Sequence, residues 1–177
     1  MRQSARFTGR HAIVAIYFAF VRSKLEFNSI VWDPHETKYN LLLERVQRKF
    51  CRYLYMKMYE YYPYLYPSLF VSGMVGIDSL ELRRKCALLV HYFLLFTGKI
   101  DNPTALSRCG LSAPPQYTRL RSRPLLATPR VRTRTAQYAA THQAVTLLNT
   151  LTAQHPDVDL FHSSVQMFLQ KCKECFS

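Results

Sequence analysis

Acidic residues are scarce in this chain. Only 11 Asp and Glu stand against 24 Lys and Arg in 177 residues, a formal net charge of +13. That imbalance points to a polyanionic partner, nucleic acid ahead of an acidic membrane surface. The shortage of carboxylates also limits the chemistry. The only close pair, Asp157 and Asp159 in "HPDVDLF", has no third acid nearby and reads as a cap for the last helix, not a metal site. No phosphate-binding G-x-x-x-x-G-K-[ST], no G-x-S-x-G and no H-E-x-x-H occurs. No catalytic residue and no cofactor is expected.

Two further absences narrow the setting. The five cysteines are odd in number and irregularly spaced, so they form no disulfide framework, and a reducing intracellular compartment, nuclear or cytoplasmic, is expected. "CKEC" (Cys172–Cys175) sets two thiols on one helical face, but His155 and His162 are too far apart to complete a zinc site, so no metal is expected. No apolar run is long enough to span a membrane. "AIVAIYFAFV" (Ala12–Val21) follows three arginines as a signal-peptide core would, yet continues into "RSKLEF" without a cleavage site. "CALLVHYFLLF" (Cys86–Phe96) is about half a membrane span. Both read as buried helices of a protein that is neither secreted nor membrane-bound.

What is present is helical periodicity. Hydrophobic residues make up 49% of the chain, enough for a sizeable core. The pattern predicts a mostly α protein: a helical domain over residues 1–101, a short helix and basic Pro/Arg-rich arm over 102–136, and a C-terminal helical pair over 137–177. Residues 10–27 form a helix apolar nearly all round, expected at the centre of a core. A second helix is expected to start at "DPHE", with Asp33 as N-cap, Pro34 at the first position and Glu36 reaching back. Tyr39, Leu42, Leu43, Val46, Phe50, Tyr53 and Leu54 then recur at helical spacing as its oily face. Pro63 and Pro67 stop this helix. "DSLELRRKCALLVHYFLLFTG" (Asp78–Gly98) is a third helix, capped by Asp78 and ended by Gly98 in the left-handed region. Two helices near 137–152 and 159–176 close the chain.

The candidate site residues are all basic. Lys38, Arg45, Arg48, Lys49 and Arg52 fall on one side of the second helix, centred about 130° from its oily face at 100° per residue. This stripe either meets phosphates or is merely solvated. Arg22 and Lys24 precede it, and Arg83 and Arg84 in "RRK" either bind, pair with Glu81 or simply face water. In the arm, Arg119, Arg121 and Arg123 alternate with other residues, as do Arg130, Arg132 and Arg134. Pro124 biases Arg123 away from helix, and period-two spacing in extended chain turns the guanidinium groups to one side. From 102 to 156 the chain has no acid at all. The arm is thus expected either to be a linker that binds nothing or to be mobile alone and ordered along a polyanion. The seven tyrosines between Tyr53 and Tyr66 either pack a core edge or offer a stacking platform for bases.

"HAIVAIYFAFVRSKLEFNSIVWDPH" followed by "LERVQRKFCRYL" resembles the region just after the polymerase palm in reverse transcriptases of jockey-like non-LTR retrotransposons. Val21, Arg22, Ser23, Leu25 and Glu26 match that pattern, as do Trp32, Pro34, Leu43, Glu44, Val46, Gln47, Arg48 and Phe50; Phe27 stands where the family usually has tyrosine. "SLELRRKCALLVHYFLLFTGKID" and "DLFHSSVQMFLQKC" are similar to later segments, and the arm matches only loosely. The resemblance implies a thumb-like helical bundle and a following segment that hold a template–primer duplex, whether RNA, DNA or hybrid. The Y/F-x-D-D hairpin and acidic triad that hold two metal ions for nucleotidyl transfer have no counterpart here. The resemblance therefore implies a fragment that is inactive alone, with the palm and fingers of a parent polymerase as a further partner. The rival expectations are part of an active RNA-directed DNA polymerase, a protein-interaction module and a decaying reading frame.

Overall fold

The computed structural model describes residues 9–112 and 124–176. The protein is mostly α-helical, as its periodicity predicts. It divides into two compact units, one reaching to Arg84 and the other starting at Lys85, with the division inside a helix.

The first unit opens with α1 (Arg10–Tyr17), a π-helical turn (Phe18–Arg22) and α2 (Ser23–Glu26), which together fill the predicted first helix. At the end of the widened turn the Ser23 amide donates to Phe18 O, one residue further back than in an α-helix, and the Ser23 hydroxyl donates to Ala19 O. This helix is not at the centre of the core. Ile13, Val14 and Phe18 pack on the core and Tyr17 is buried, but Ile16 and Phe20 are 47% and 68% exposed. An apolar helix is expected to be covered all round, and this one keeps an open face.

Asn28, in the left-handed region at φ 52°, breaks the chain into α3 (Ser29–Trp32). The long helix α4 (Thr37–Tyr59) begins later than "DPHE" predicts. Glu36 occupies its N-cap without a side-chain hydrogen bond, and Asp33 instead ends α3 and receives an arginine. The buried face of α4 is also rotated from the predicted one, to Gln47, Cys51, Leu54 and Tyr55, while Tyr39, Leu42, Val46 and Tyr53 are exposed. Burial of Gln47 explains the rotation. Tyr17 Oη donates to Gln47 Oε1 at 3.3 Å, and Gln47 Nε2 donates to Asp78 O at 2.8 Å, so both ends of a buried amide are satisfied. Beside it the Tyr17 and Phe50 rings stack at 3.7 Å.

After the tyrosine-rich turn comes α5 (Ser68–Val75), a helix not foreseen from sequence, packed on α4. Val71, Val75 and Ile77 join Cys51, Leu54 and Tyr55 in the core of this unit. Gly76 ends α5 at φ 74°, where an L side chain would be strained, and Ile77 N donates to Ser72 O at 3.1 Å. Then α6 (Leu80–Phe96) begins, one residue past Ser79, whose hydroxyl accepts from the Leu82 amide at 3.2 Å. Its other end is as predicted. Gly98 takes φ 68°, and Lys99 N donates to Leu94 O at 2.9 Å.

In the second unit, α7 (Pro103–Ser107) is capped by Asn102 and followed by β1 (Gly110–Leu111), which pairs antiparallel with β2 (Leu126–Ala127). α8 (Arg134–Gln137), α9 (Ala140–Gln154) and α10 (Val165–Phe176) complete it. The core holds Ala144, Val145, Leu148 and Leu151 of α9 with Leu126, Leu160 and Phe168; Phe93 stacks on Phe168 at 4.4 Å. The last helix starts at Val165, not at 159. Ser164 Oγ accepts from the Met167 amide, and Asp159 forms a turn in which Oδ1 accepts from Phe161 N at 2.8 Å. The predicted 112–135 arm is held at Ser112 and at Leu125–Leu126. Ser112 N donates to Leu125 O at 2.9 Å, and Leu126 is fully buried.

Candidate nucleic-acid interface

Among the described residues, the cations expected at the site sort into three groups. Three are spent on carboxylates inside the first unit. Arg83 embraces Glu26, donating from Nε to one carboxylate oxygen and from Nη2 to the other at 2.9 Å. Arg22 lies 3.6 Å over the Phe18 ring and 3.7 Å from Glu26, and its burial lowers the tendency of its guanidinium to stay charged. Arg84 is 2% exposed and donates to Asp33 and Asn40, so it offers nothing to a surface ligand. Adjacent arginines in "RRK" thus serve two different internal pairs.

A fourth cation holds a loop. Arg52 sits on the predicted stripe, but its Nη1 donates to Pro63 O and its Nη2 to Tyr66 O at 3.2 Å. It fastens the tyrosine turn to α4.

The remaining stripe on α4 stays at the surface. Lys38, Arg45 and Lys49 are exposed, Arg48 is half-buried, and none of them forms an ion pair among the described residues. Lys57 belongs with them, 6.0 Å from the Tyr53 ring and two turns beyond Lys49. Lys57 is not among the cations of the predicted stripe, although its i, i+4 spacing from Tyr53 and its eight-residue spacing from Lys49 carry the signal. Glu44, the one acid within α4, is engaged elsewhere: its Oε1 accepts from the Glu81 amide at 2.9 Å. From Lys38 to Lys57 the face runs about 28 Å at 1.5 Å per residue. Between the cations lie the exposed apolar groups Tyr39, Leu42, Val46 and Tyr53. Lys24 is exposed on α2.

In the second unit Arg130, Arg132 and Arg134 are exposed, and Val131 between the first two is half-buried. Thr133 Oγ1 accepts from the Ala136 amide at 3.2 Å, so Arg134 opens α8 instead of extending the alternating array. Arg119, Arg121 and Arg123 lie outside the described residues.

The thiols are placed as ordinary core or surface groups. Cys51, Cys86 and Cys172 are buried, and burial pushes the Cys51 and Cys172 thiols up, away from reactive thiolate character. Cys175, the other half of "CKEC", donates to Gln154 Oε1 at 2.8 Å. Among the described residues no three His, Cys, Asp or Glu side chains gather as a ligand set, and no helix is long and apolar enough to cross a membrane. Protein-family models, curated proteins and solved structures contain no match to this chain.

Proposed function

We propose that this chain is a nucleic-acid-binding segment derived from a retroelement reverse transcriptase, without a polymerase centre of its own. The observation that carries this reading is the exposed face of α4, where Arg45, Arg48, Lys49 and Lys57 share one side of a helix whose own acid is engaged with the Glu81 amide. Phosphates would be met by charge at this face, with little sequence readout. Arg130, Arg132 and Arg134 provide a second exposed cationic segment. The jockey-like motifs around Trp32 and Pro34 support the origin, and the open apolar face at Ile16 and Phe20 suits a helix that once lay against a palm.

The test is the salt dependence of binding. Replacing Arg45, Lys49 and Lys57 together with alanine removes three exposed charges, each worth roughly 0.9 in the slope of log affinity against log salt for B-form duplex. The expected result is a shallower slope and weaker binding to every duplex sequence alike. An unchanged slope would leave the face solvated and the reading without support. Purified chain with primer, template, nucleotides and Mg²⁺ is expected to extend nothing.

A further inference from the structure

We propose that the tyrosine turn between α4 and α5 is a preformed platform for unpaired bases, so that the preferred ligand of this surface is a single strand and not a continuous duplex. The proposal rests on the nucleic-acid reading and narrows it to a substrate class.

The turn exposes its rings and apolar side chains to a degree that a folded chain usually avoids. Tyr64 is 76% exposed and Leu65 89%, and Leu69 in the first turn of α5 is 82% exposed. Clustered apolar exposure of this kind marks a contact surface. The rings are nevertheless held in place. Tyr55, buried in the core, meets Tyr66 edge-on at 6.1 Å, and Tyr66 meets Phe70 at 5.3 Å and Tyr61 at 6.3 Å. Tyr64 leans on Tyr62 at 4.4 Å. Arg52 pins the backbone at both Pro63 and Tyr66, and Pro63 and Pro67 restrict the chain further. A surface fixed in advance loses little entropy when a ligand arrives.

Charge selects the occupant. The turn follows directly on the cationic face of α4, with exposed Lys57 in the last turn of the helix and Glu60 as the one acid within the turn. A flat π-face joined to a phosphate chain meets both features, because bases stack on tyrosine while their backbone follows the cations. In a duplex the base faces are already stacked on one another, so only an unpaired strand can use the platform.

The experiment compares three probes on the full chain: a mixed-sequence single strand, the same strand with its bases replaced by abasic sites, and the corresponding duplex. The intact single strand is expected to bind at least about fivefold more tightly than the abasic strand, the lower end of what one stacked base contributes. Tyr64→Ala is expected to erase that preference and Tyr64→Phe to keep it; both are exposed substitutions that leave the core untouched. Equal affinity for intact and abasic strands, with strong salt dependence, would overturn the platform and leave the cationic reading standing. No binding to any probe would overturn both.

Discussion

The Arg84 guanidinium donates to Asp33 at 2.5 Å from a position where its side chain is 1% exposed, while the Asp33 side chain keeps 28% of its surface in water. The two partners are therefore not equivalent. Arg84 also leaves Nη1 buried without a hydrogen-bond partner among the described residues, a flaw that normally costs about 1–3 kcal/mol. Asp33→Ala strands a buried positive charge and is expected to cost about 3 kcal/mol. Arg84→Met removes the flawed donor along with the pair and lets Asp33 hydrate, so its cost is expected to be smaller, about 1–2 kcal/mol. Urea unfolding followed through Trp32, the only tryptophan of the chain and the neighbour of Asp33, separates the two. Equal costs would mean that the asymmetry of exposure does not govern the pair.

Arg52 and Arg45 sit on the same stripe of α4, yet they are expected to fail in opposite assays. Arg52→Ala releases the Pro63 and Tyr66 carbonyls and should destabilise the first unit by about 1 kcal/mol, with faster amide exchange around residues 61–66 and little change in the salt slope of binding. Arg45→Ala removes an exposed charge, so stability should move by less than about 0.5 kcal/mol while the slope becomes shallower. Measuring stability and slope on both variants decides whether the stripe is divided in this way.

The helices of this protein were legible where one element's sequence contains the whole reason for its form. Gly98 ends α6 as expected, because the left-handed position is a property of the glycine itself. The orientation of α4 was not legible. Tyr39, Leu42, Val46 and Tyr53 read as core by helical spacing, but Gln47 takes the inner face through partners at Tyr17 and Asp78, both about thirty residues away in sequence. The candidate site shows the same limit. An arginine in isolation reads as a phosphate ligand, and only the tertiary pairing of Arg83 with Glu26 and of Arg84 with Asp33 separates them from Arg45 and Lys49. The start of α10 is not legible either, because Asp159 accepts from the Phe161 amide in a turn that has the same local sequence signature as a helix cap.

The basic arm, expected to exchange freely over 112–135, should show a protected amide at Leu126. Asn149 holds the backbone of Leu126 at both ends: Leu126 N donates to Oδ1 and Nδ2 donates to Leu126 O, each at 2.9 Å. Leu126 is fully buried, so Asn149→Ala would leave both backbone groups unpaired in an apolar setting, at a cost of about 2 kcal/mol. Hydrogen exchange is expected to show slow exchange at the Leu126 amide in the wild type and rapid exchange in Asn149→Ala, with the exposed Arg130 and Arg132 amides fast in both. A fast Leu126 amide in the wild type would contradict the clamp.

Tyr17 should make the first unit sensitive to alkali. Its ring is 4% exposed, and burial pushes its phenol from 10.0 up to about 12, with Cys51 adding a smaller push. A raised folded pKa means that the native state keeps its proton where the unfolded chain has lost it. The stability contributed by the neutral phenol is therefore fully present below pH 10 and is lost as the pH rises through 12. A shift of this size corresponds to roughly 2–3 kcal/mol. Tyr17→Phe removes the ionisation but also the donor to Gln47 Oε1, so it should cost about 1 kcal/mol at neutral pH. The two stability curves should then converge and cross between pH 10 and 12, with the variant the more stable at the alkaline end. Denaturant unfolding at a series of pH values, read through Trp32, gives both curves. Parallel curves across that window would show that the Tyr17 phenol is free to ionise in the folded protein.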